Sequence, residues 1–382
     1  MGAVAIVKRN FLGFTGAVRT MQEHIRCFRR IGYEVDIYSE NVDIKMVRQL
    51  EAASRKIGFW PLVGNRGRPY FNWRVGRLIH SKDYDLVFGH GELIRQDVVF
   101  LHNLRHLAWE LMYGKKLPEH DAVGQMHRRV LEARNFRLLM VYTHLMKNDV
   151  GARFNVPTEM IEVMYPGLNA ADFPLDPDAR DRIRNELGIG PDETLVGLIT
   201  SGCNKKRNIG LFLKAAGVVA AKTNNHIKVL LLGKRASIQA HKNLAAEAGL
   251  TSVIFQEPVA NIADYYQALD IYVLPAHLEE FGRVVLEAMV YGLPVVVSDR
   301  VGAGEILEGI ARDGIFQTGR EDQLVDQIHR LAVDAEYRCE LGRQNRRTAA
   351  KYSEPERMKV FLEILIRHGL IPSAIESTRR SS

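Results

Sequence analysis

An α/β protein built from two doubly wound parallel sheets is the fold that the sequence predicts, and three observations predict it. The chain opens with a strand, a glycine-bearing loop, a helix and a second strand, the βαβ unit from which parallel sheets grow. After a proline-bearing turn near residue 166, the alternation of strand and helix starts again and runs through five strands. The length, 382 residues with 46% hydrophobic and 25% charged, suits two or three cores and excludes disordered, collagenous and coiled-coil classes.

Taken in order, residues 3–7 form a short apolar strand, and residues 11–16 form a loop carrying Gly13 and Gly16. Over 16–30, Val18, Met21, Ile25 and Phe28 recur at helical spacing, with Arg19, Arg26, Arg29 and Arg30 interleaved toward water. Gly32 stops that helix and 34–38 alternates as the next strand. Strands follow at 85–88, 98–101 and 138–143. Pro166, Pro174 and Pro177 lie in a polar stretch that reads as a linker. The second series of strands falls at 194–200, 227–233, 252–256, 270–274 and 294–298, with helical patterns between them. The chain from Asp322 onward is helical and charged, and its last ten residues read as frayed. The expected division is an N-terminal domain over 1–168, a second domain over 169–350, and a helical tail over 351–382 that returns to the first domain. Two such sheets with a hinge create a cleft, and functional residues belong in the loops beyond the carboxyl ends of the strands.

The balance of 52 basic and 45 acidic residues leaves a net charge of +7, which suits an anionic ligand or surface. Cys27, Cys203 and Cys339 are far apart and form no CxxC pair. That argues against a disulfide scaffold or a cysteine zinc site and fits a reducing compartment. The first ten residues read as a strand rather than a signal peptide, and no apolar run approaches the roughly 18 residues of a membrane span. The expected location is the cytoplasm, at most peripheral to the inner face of a membrane. Residues 45–82 contain nine Lys or Arg and one acid, Glu51, together with Phe59, Trp60, Tyr70, Phe71 and Trp73. Rings beside cations suit the headgroup level of an anionic membrane; a solvated excursion of the first domain is the alternative. No RNA- or DNA-binding signature is present, so no nucleic-acid partner is expected. The histidines show no HExxH or similar spacing, so no metal site is expected either.

Residues 275–298, PAHLEEFGRVVLEAMVYGLPVVVS, are the most informative stretch. A strand ends at Pro275, a loop carries Glu279, Glu280, Phe281 and Gly282, and a helix starts near Arg283 and carries Glu287. A helix start preceded by glycine offers free N–H groups to a phosphate. Glu287, about a turn inside, could accept two hydrogen bonds from a vicinal diol such as a ribose supplies. Glutamate alone is usually a surface residue; the strand–loop–helix context is what singles these two out. A second element, SGCNKKRN at 201–208, reads as a loop directly after a strand, where Lys205, Lys206 and Arg207 could neutralise a departing diphosphate without a metal. The third is the loop 13–16, where Gly16 lets the backbone approach a ligand closely.

With these residues in place, the sequence resembles retaining glycosyltransferases of the GT-B fold, family 4. That resemblance implies two Rossmann-like doubly wound domains facing each other across a cleft. The spaced glutamates E-x7-E, here Glu279 and Glu287, carry it. TGAVR at the first helix, MYPGLNAADF at the hinge, LLLGKR and VGAGEIL match the family in order and spacing. Within the family, the likeness is to lipopolysaccharide core glycosyltransferases of the glucosyltransferase I type. The resemblance implies a metal-independent hexosyltransferase with a nucleotide-sugar donor and a glycan or glycolipid acceptor, in lipopolysaccharide or other surface polysaccharide biosynthesis. It implies that Glu287 holds the ribose and Glu279 contacts donor-sugar hydroxyls, while amides of Phe281, Gly282 and Arg283 face the sugar and diphosphate. Val259 falls near the base-reading position. The diphosphate role is carried to Lys206 and Arg207, although the family's Arg five residues before Lys-Gly is replaced here by Gly202 with Arg207-Asn208. On the acceptor side, His102 and Asn103 follow a strand where the family has a His or Asp near the reacting centre. His90 and His102 are each open to a functional role or to an ordinary capping or core one. Two other functions compete: a GT-B nucleotide-sugar epimerase, for which no acid–base set on both sugar faces can be placed, and a catalytically silent protein that binds nucleotide sugar or glycan.

Overall fold

Val4 to Val7 are wholly buried, and this apolar run forms an interior strand of a seven-stranded parallel sheet. A strand buried on both faces has no need of polar alternation. The computed structural model describes residues 2–13, 15–58, 67–80, 82–200, 204–233 and 238–373. Residues 374–382, most of the stretch read from sequence as frayed, and Phe14, Phe59, Trp60 and Cys203 therefore lie outside the described residues. The chain divides into two units. The first comprises 1–110, 114–166 and 354–382, and the second 111–113 and 167–353.

The strands of the first unit are β1 (Ala3–Val7), β2 (Asn10–Phe11), β3 (Glu34–Ser39), β4 (Asn41–Val42), β5 (Ala53–Lys56), β6 (Leu86–Gly89), β7 (Val98–Phe100), β8 (Leu138–Val141) and β9 (Ile161–Val163). The main sheet runs β5-β3-β1-β6-β7-β8-β9, while β2 and β4 pair separately. The sequence reading missed β2, β4, β5 and β9, which are two to four residues long or charged, and so too short for a period to show. The helix Gly16–Arg30 is capped by Thr15, whose side chain accepts from the Val18 amide, as an N-cap should. Val18, Met21, Ile25 and Phe28 face the core as expected.

Of its arginines, read as mostly facing water, Arg30 is exposed and Arg19, Arg26 and Arg29 are half-buried. Arg26 makes two bonds to Glu354, at 2.6 and 2.9 Å, Arg29 donates to the Tyr33 carbonyl, and Arg30 lies on Met358. The partners of Arg26 and Arg30 come from the helix Glu354–Arg367, which belongs to this unit and packs Phe361 against His24, Phe28 and Phe88.

The second unit contains β10 (Thr194–Ile199), β11 (Ile227–Leu232), β12 (Val253–Gln256), β13 (Ile271–Leu274), β14 (Val295–Ser298) and β15 (Ile315–Phe316). All pair in parallel, in the order β12-β11-β10-β13-β14-β15. The helix Ala335–Ala350 approaches the turn after the helix Arg283–Val290 closely. A Cβ on Gly342 would lie 2.1 Å from the Gly292 carbonyl oxygen, so only glycine fits there. Asn345, fully buried on the same helix, donates to the Leu293 carbonyl at 2.8 Å.

Candidate active site

In each sheet the strand order reverses at one point, between β10 and β13 in the second unit and between β1 and β6 in the first. The crevice beyond the carboxyl ends at such a point is where open α/β sheets bind ligands.

In the second unit, β13 leads into the loop 275–282. This loop is held against the turn after β14: the Glu279 amide donates to the Arg300 carbonyl at 3.0 Å, and the Gly302 amide to the Glu279 carbonyl at 2.9 Å. Gly282, at φ +93°, turns the chain into the helix Arg283–Val290, a conformation glycine adopts without strain. A Cβ there would also crowd Glu279 Cγ at 3.0 Å. Glu279, Glu280 and Glu287 are all buried, which overrides the ordinary preference of glutamate for the surface and requires partners for each. Lys206 pairs with Glu280 and Arg207 with Glu279. Arg207 also donates through Nε to Thr200 Oγ1, just past β10, at 3.2 Å. Glu287 accepts from the Tyr266 hydroxyl at 2.9 Å, and the Tyr266 ring stacks on Tyr291. Tyr272, whose hydroxyl donates to the Ile199 carbonyl at 3.0 Å, is pushed well above the usual phenol range by burial.

Lys206, Arg207, Glu279, Glu280, Phe281, Gly282 and Glu287 thus lie on the segments that follow the two strands of the switch point. One reading needs correction. Residues 204–207 form a short helix, not a loop; nothing in Asn-Lys-Lys-Arg breaks a helix, and Asn208 at φ +54° ends it. The Arg283 side chain donates to the Gly167 carbonyl at 2.7 Å, so its guanidinium ties down the turn at 167. Val259 is half-buried after β12, the edge strand, two strands away from β10.

In the first unit, Lys8 and His90 directly follow the switch-point strands β1 and β6, and Lys8 Nζ donates to the His90 carbonyl at 3.2 Å. Glu92 lies 4.0 Å from Lys8 and 2.5 Å from Arg68. His102, after β7, engages both ring nitrogens. Nε2 is 2.7 Å from His90 Nδ1, and Nδ1 is 2.7 Å from the Tyr142 hydroxyl after β8. Tyr142 reaches Thr20 Oγ1 at 3.0 Å, and Thr20 donates to the Gly16 carbonyl at 3.1 Å. His102 and Gly16, read separately from sequence, are therefore joined. Asn103 follows, half-buried. Burial, with His102, His24 and Lys8 nearby, holds His90 well below the usual imidazole range, so it is neutral. Lys8, Thr20, Glu92 and Tyr142 were not singled out in sequence. Lys8 and Tyr142 are each the first residue past a buried strand, and that position was the available signal.

Two Rossmann-like units with parallel sheets define an α/β protein of the GT-B class. Residues 14–172 match the family Glycosyltransferase Family 4, and residues 179–348 match Glycosyl transferases group 1. The two matches follow one another in chain order. It is similar to a D-inositol 3-phosphate glycosyltransferase of Corynebacterium urealyticum, 26% identical over 305 residues, or 75% of this chain and 72% of that one. In fold it is similar to WaaG, a glycosyltransferase involved in lipopolysaccharide biosynthesis. There the TM-score is 0.75 at 18% identity, covering 93% of this chain and 98% of that one. It is likewise similar to HepE of Anabaena solved with UDP-glucose, with a TM-score of 0.76 at 17% identity, covering 96% and 99%.

Proposed function

We propose that the protein is a retaining, metal-independent hexosyltransferase. It would move a sugar from a nucleoside-diphosphate donor to a glycan or glycolipid in lipopolysaccharide or other surface polysaccharide biosynthesis. The observation that carries this reading is the buried pair Glu279 and Glu287 on one strand–loop–helix at a sheet switch point, with Lys206 and Arg207 against the neighbouring carboxylates. Glu287 has one oxygen on Tyr266 and would turn the other to the ribose diol. Glu279 would contact the sugar. Lys206 and Arg207 would exchange carboxylates for the diphosphate, supplying the charge a metal supplies elsewhere. Amides of Phe281, Gly282 and Arg283 would face sugar and phosphate, and Val259 the base. The acceptor hydroxyl would attack on the face the diphosphate leaves, and a leaving phosphate oxygen would take its proton. No protein nucleophile is then needed, and His102 and Asn103 act by positioning. HepE, solved with UDP-glucose, supports the donor class.

A nucleotide-sugar panel with UDP-, GDP-, ADP- and TDP-sugars, with and without EDTA, tests this reading by transfer of labelled sugar to a glycan acceptor. Transfer with inversion, or transfer abolished by EDTA, would contradict the mechanism. One observation favours the silent binding protein instead: Lys206 and Arg207 are already paired. Donor binding without any transfer would decide for it.

For location, among the described residues no helix is long and apolar enough to cross a membrane. We propose peripheral contact of residues 45–82 with an anionic surface at the inner face of the membrane. On the helix Gly67–His80, Trp73 is half-exposed, Arg77 lies over its ring, and Arg74 is exposed beside them.

A further inference from the structure

We infer that His90 is a positioning residue, and that with the hydroxyls of Tyr142 and Thr20 it locks His102 as the neutral Nδ1–H tautomer and ties that ring to the Gly16 carbonyl. The direction of the relay follows from its protons. Thr20 has one hydroxyl proton, and the Gly16 carbonyl, 3.1 Å away, can only accept it. Tyr142 therefore donates to Thr20 across 3.0 Å. With its proton so placed, the Tyr142 oxygen accepts from His102 Nδ1 at 2.7 Å. A neutral His102 then has its lone pair on Nε2, which accepts from His90 Nδ1 at 2.7 Å. His90 Nε2 is left as a bare imine nitrogen, and among the described residues it is buried without a hydrogen-bond partner. The reverse direction would strand an N–H donor at that same place and withhold the threonine proton from Gly16. Orphaned buried N–H groups are rarer than under-used acceptors.

Packing holds the rings in this state. His90 stacks on His102 at 4.9 Å and 9° and on His24 at 5.7 Å and 25°, and His24 stacks on Phe361 at 4.5 Å. Lys8 lies on the His90 carbonyl, with Glu92 and Arg68 beyond it. A proton added to the stack would face that lysine and lose water, both of which oppose it. His102 is thus an oriented neutral ring rather than a proton carrier. Resting on the transferase reading, the relay makes the acceptor-side ring and the glycine loop that approaches the donor one mechanical piece.

The test is histidine-selective ¹⁵N NMR on the full chain at pH 7, with His102 assigned by His102→Gln. The expected spectrum has protonated Nδ1 and bare Nε2 at His102, with mixed tautomers in Tyr142→Phe and His90→Leu. His90→Asn, which keeps a donor near the Nδ1 position, is expected to restore the single tautomer. Where Tyr142→Phe fails to fold, Thr20→Val cuts the same relay. In transfer assays with the enzyme concentration set by the donor-binding fraction of each preparation, Tyr142→Phe is expected to lower kcat about tenfold with the donor KM unchanged; that normalisation removes the fall in rate that loss of folded protein alone would give. An Nε2–H or imidazolium His102 in the parent, or an unchanged tautomer in both relay variants, overturns the inference. A parent with the expected tautomer and no transfer supports the relay while removing the transferase reading.

Discussion

Replacing Glu287 with Gln separates a diol-binding carboxylate from a structural one. Glu287 is 5% exposed, and one of its oxygens accepts from Tyr266 at 2.9 Å. Gln keeps the shape and one carbonyl oxygen, so the Tyr266 bond survives and stability is expected to change by less than about 1 kcal/mol. The other end becomes an NH2, which meets a diol donor with a donor. A hydrogen bond to a charged acceptor contributes about 1.5–3 kcal/mol, so the Kd for the nucleoside diphosphate is expected to rise about 10- to 150-fold. Calorimetric titration with UDP, GDP and ADP in EDTA reads this directly. The 2′-deoxy diphosphate of the base that binds sharpens the test. It should bind more weakly than the ribonucleotide to the parent, and equally well to Glu287→Gln. An affinity within twofold of the parent, or an equal deoxy penalty in both proteins, refutes the diol assignment.

Four further outcomes are expected. Arg184 is buried and donates to Asp270 at 2.9 Å and to the carbonyls of Gly190 and Glu193 at 2.8 and 2.6 Å. Arg184→Ala should therefore cost the second unit about 3 kcal/mol, read as a lower urea midpoint by circular dichroism. Gly342→Ala overpacks the Gly292 carbonyl and should cost about 1–3 kcal/mol in the same measurement. Burial, with Lys8, His106 and Arg68 nearby, pushes His127 down to about 3. Its folded value lies below its unfolded one, so its contribution is complete above about pH 6.5 and is lost as pH falls toward 3. From pH 7 to 5 the first unit should lose about 2 kcal/mol on this account, and His127→Gln should flatten that slope. Tryptophan fluorescence reads it, since the second unit's range contains no Trp. Finally, Trp73→Ala with Arg74→Glu and Arg77→Glu should weaken co-sedimentation with phosphatidylserine vesicles at least about tenfold, at about 1 kcal/mol per cation; equal sedimentation would end the membrane proposal.

Strands were legible in the sequence wherever burial on both faces demanded an unbroken apolar run. Residues 3–7, 227–232 and 295–298 needed no partner to be recognised. The helix 16–30 was legible because its apolar stripe and the Gly32 that stops it lie within a short stretch of chain. Strands β5 and β9 were not, because an edge strand of three or four residues is defined by the neighbour it pairs with. The glutamates of 279–287 were legible as a spacing. That they are buried, and that Lys206 and Arg207 are the cations compensating Glu280 and Glu279, was not.

The sequence by itself determined the class of the longer elements and the places after strands where chemistry would gather, since periodicity and glycine placement act over a few residues. The tertiary structure alone decided which side chains share a site. Thr20, His90, His102 and Tyr142 come from four separate segments and meet only because β6, β7 and β8 lie side by side near the helix 16–30. Arg26 finds Glu354 across 328 residues for the same reason. Pairing of that kind follows from sheet order and crossover packing. Those are set by the summed burial of the whole chain, and no local pattern encodes them.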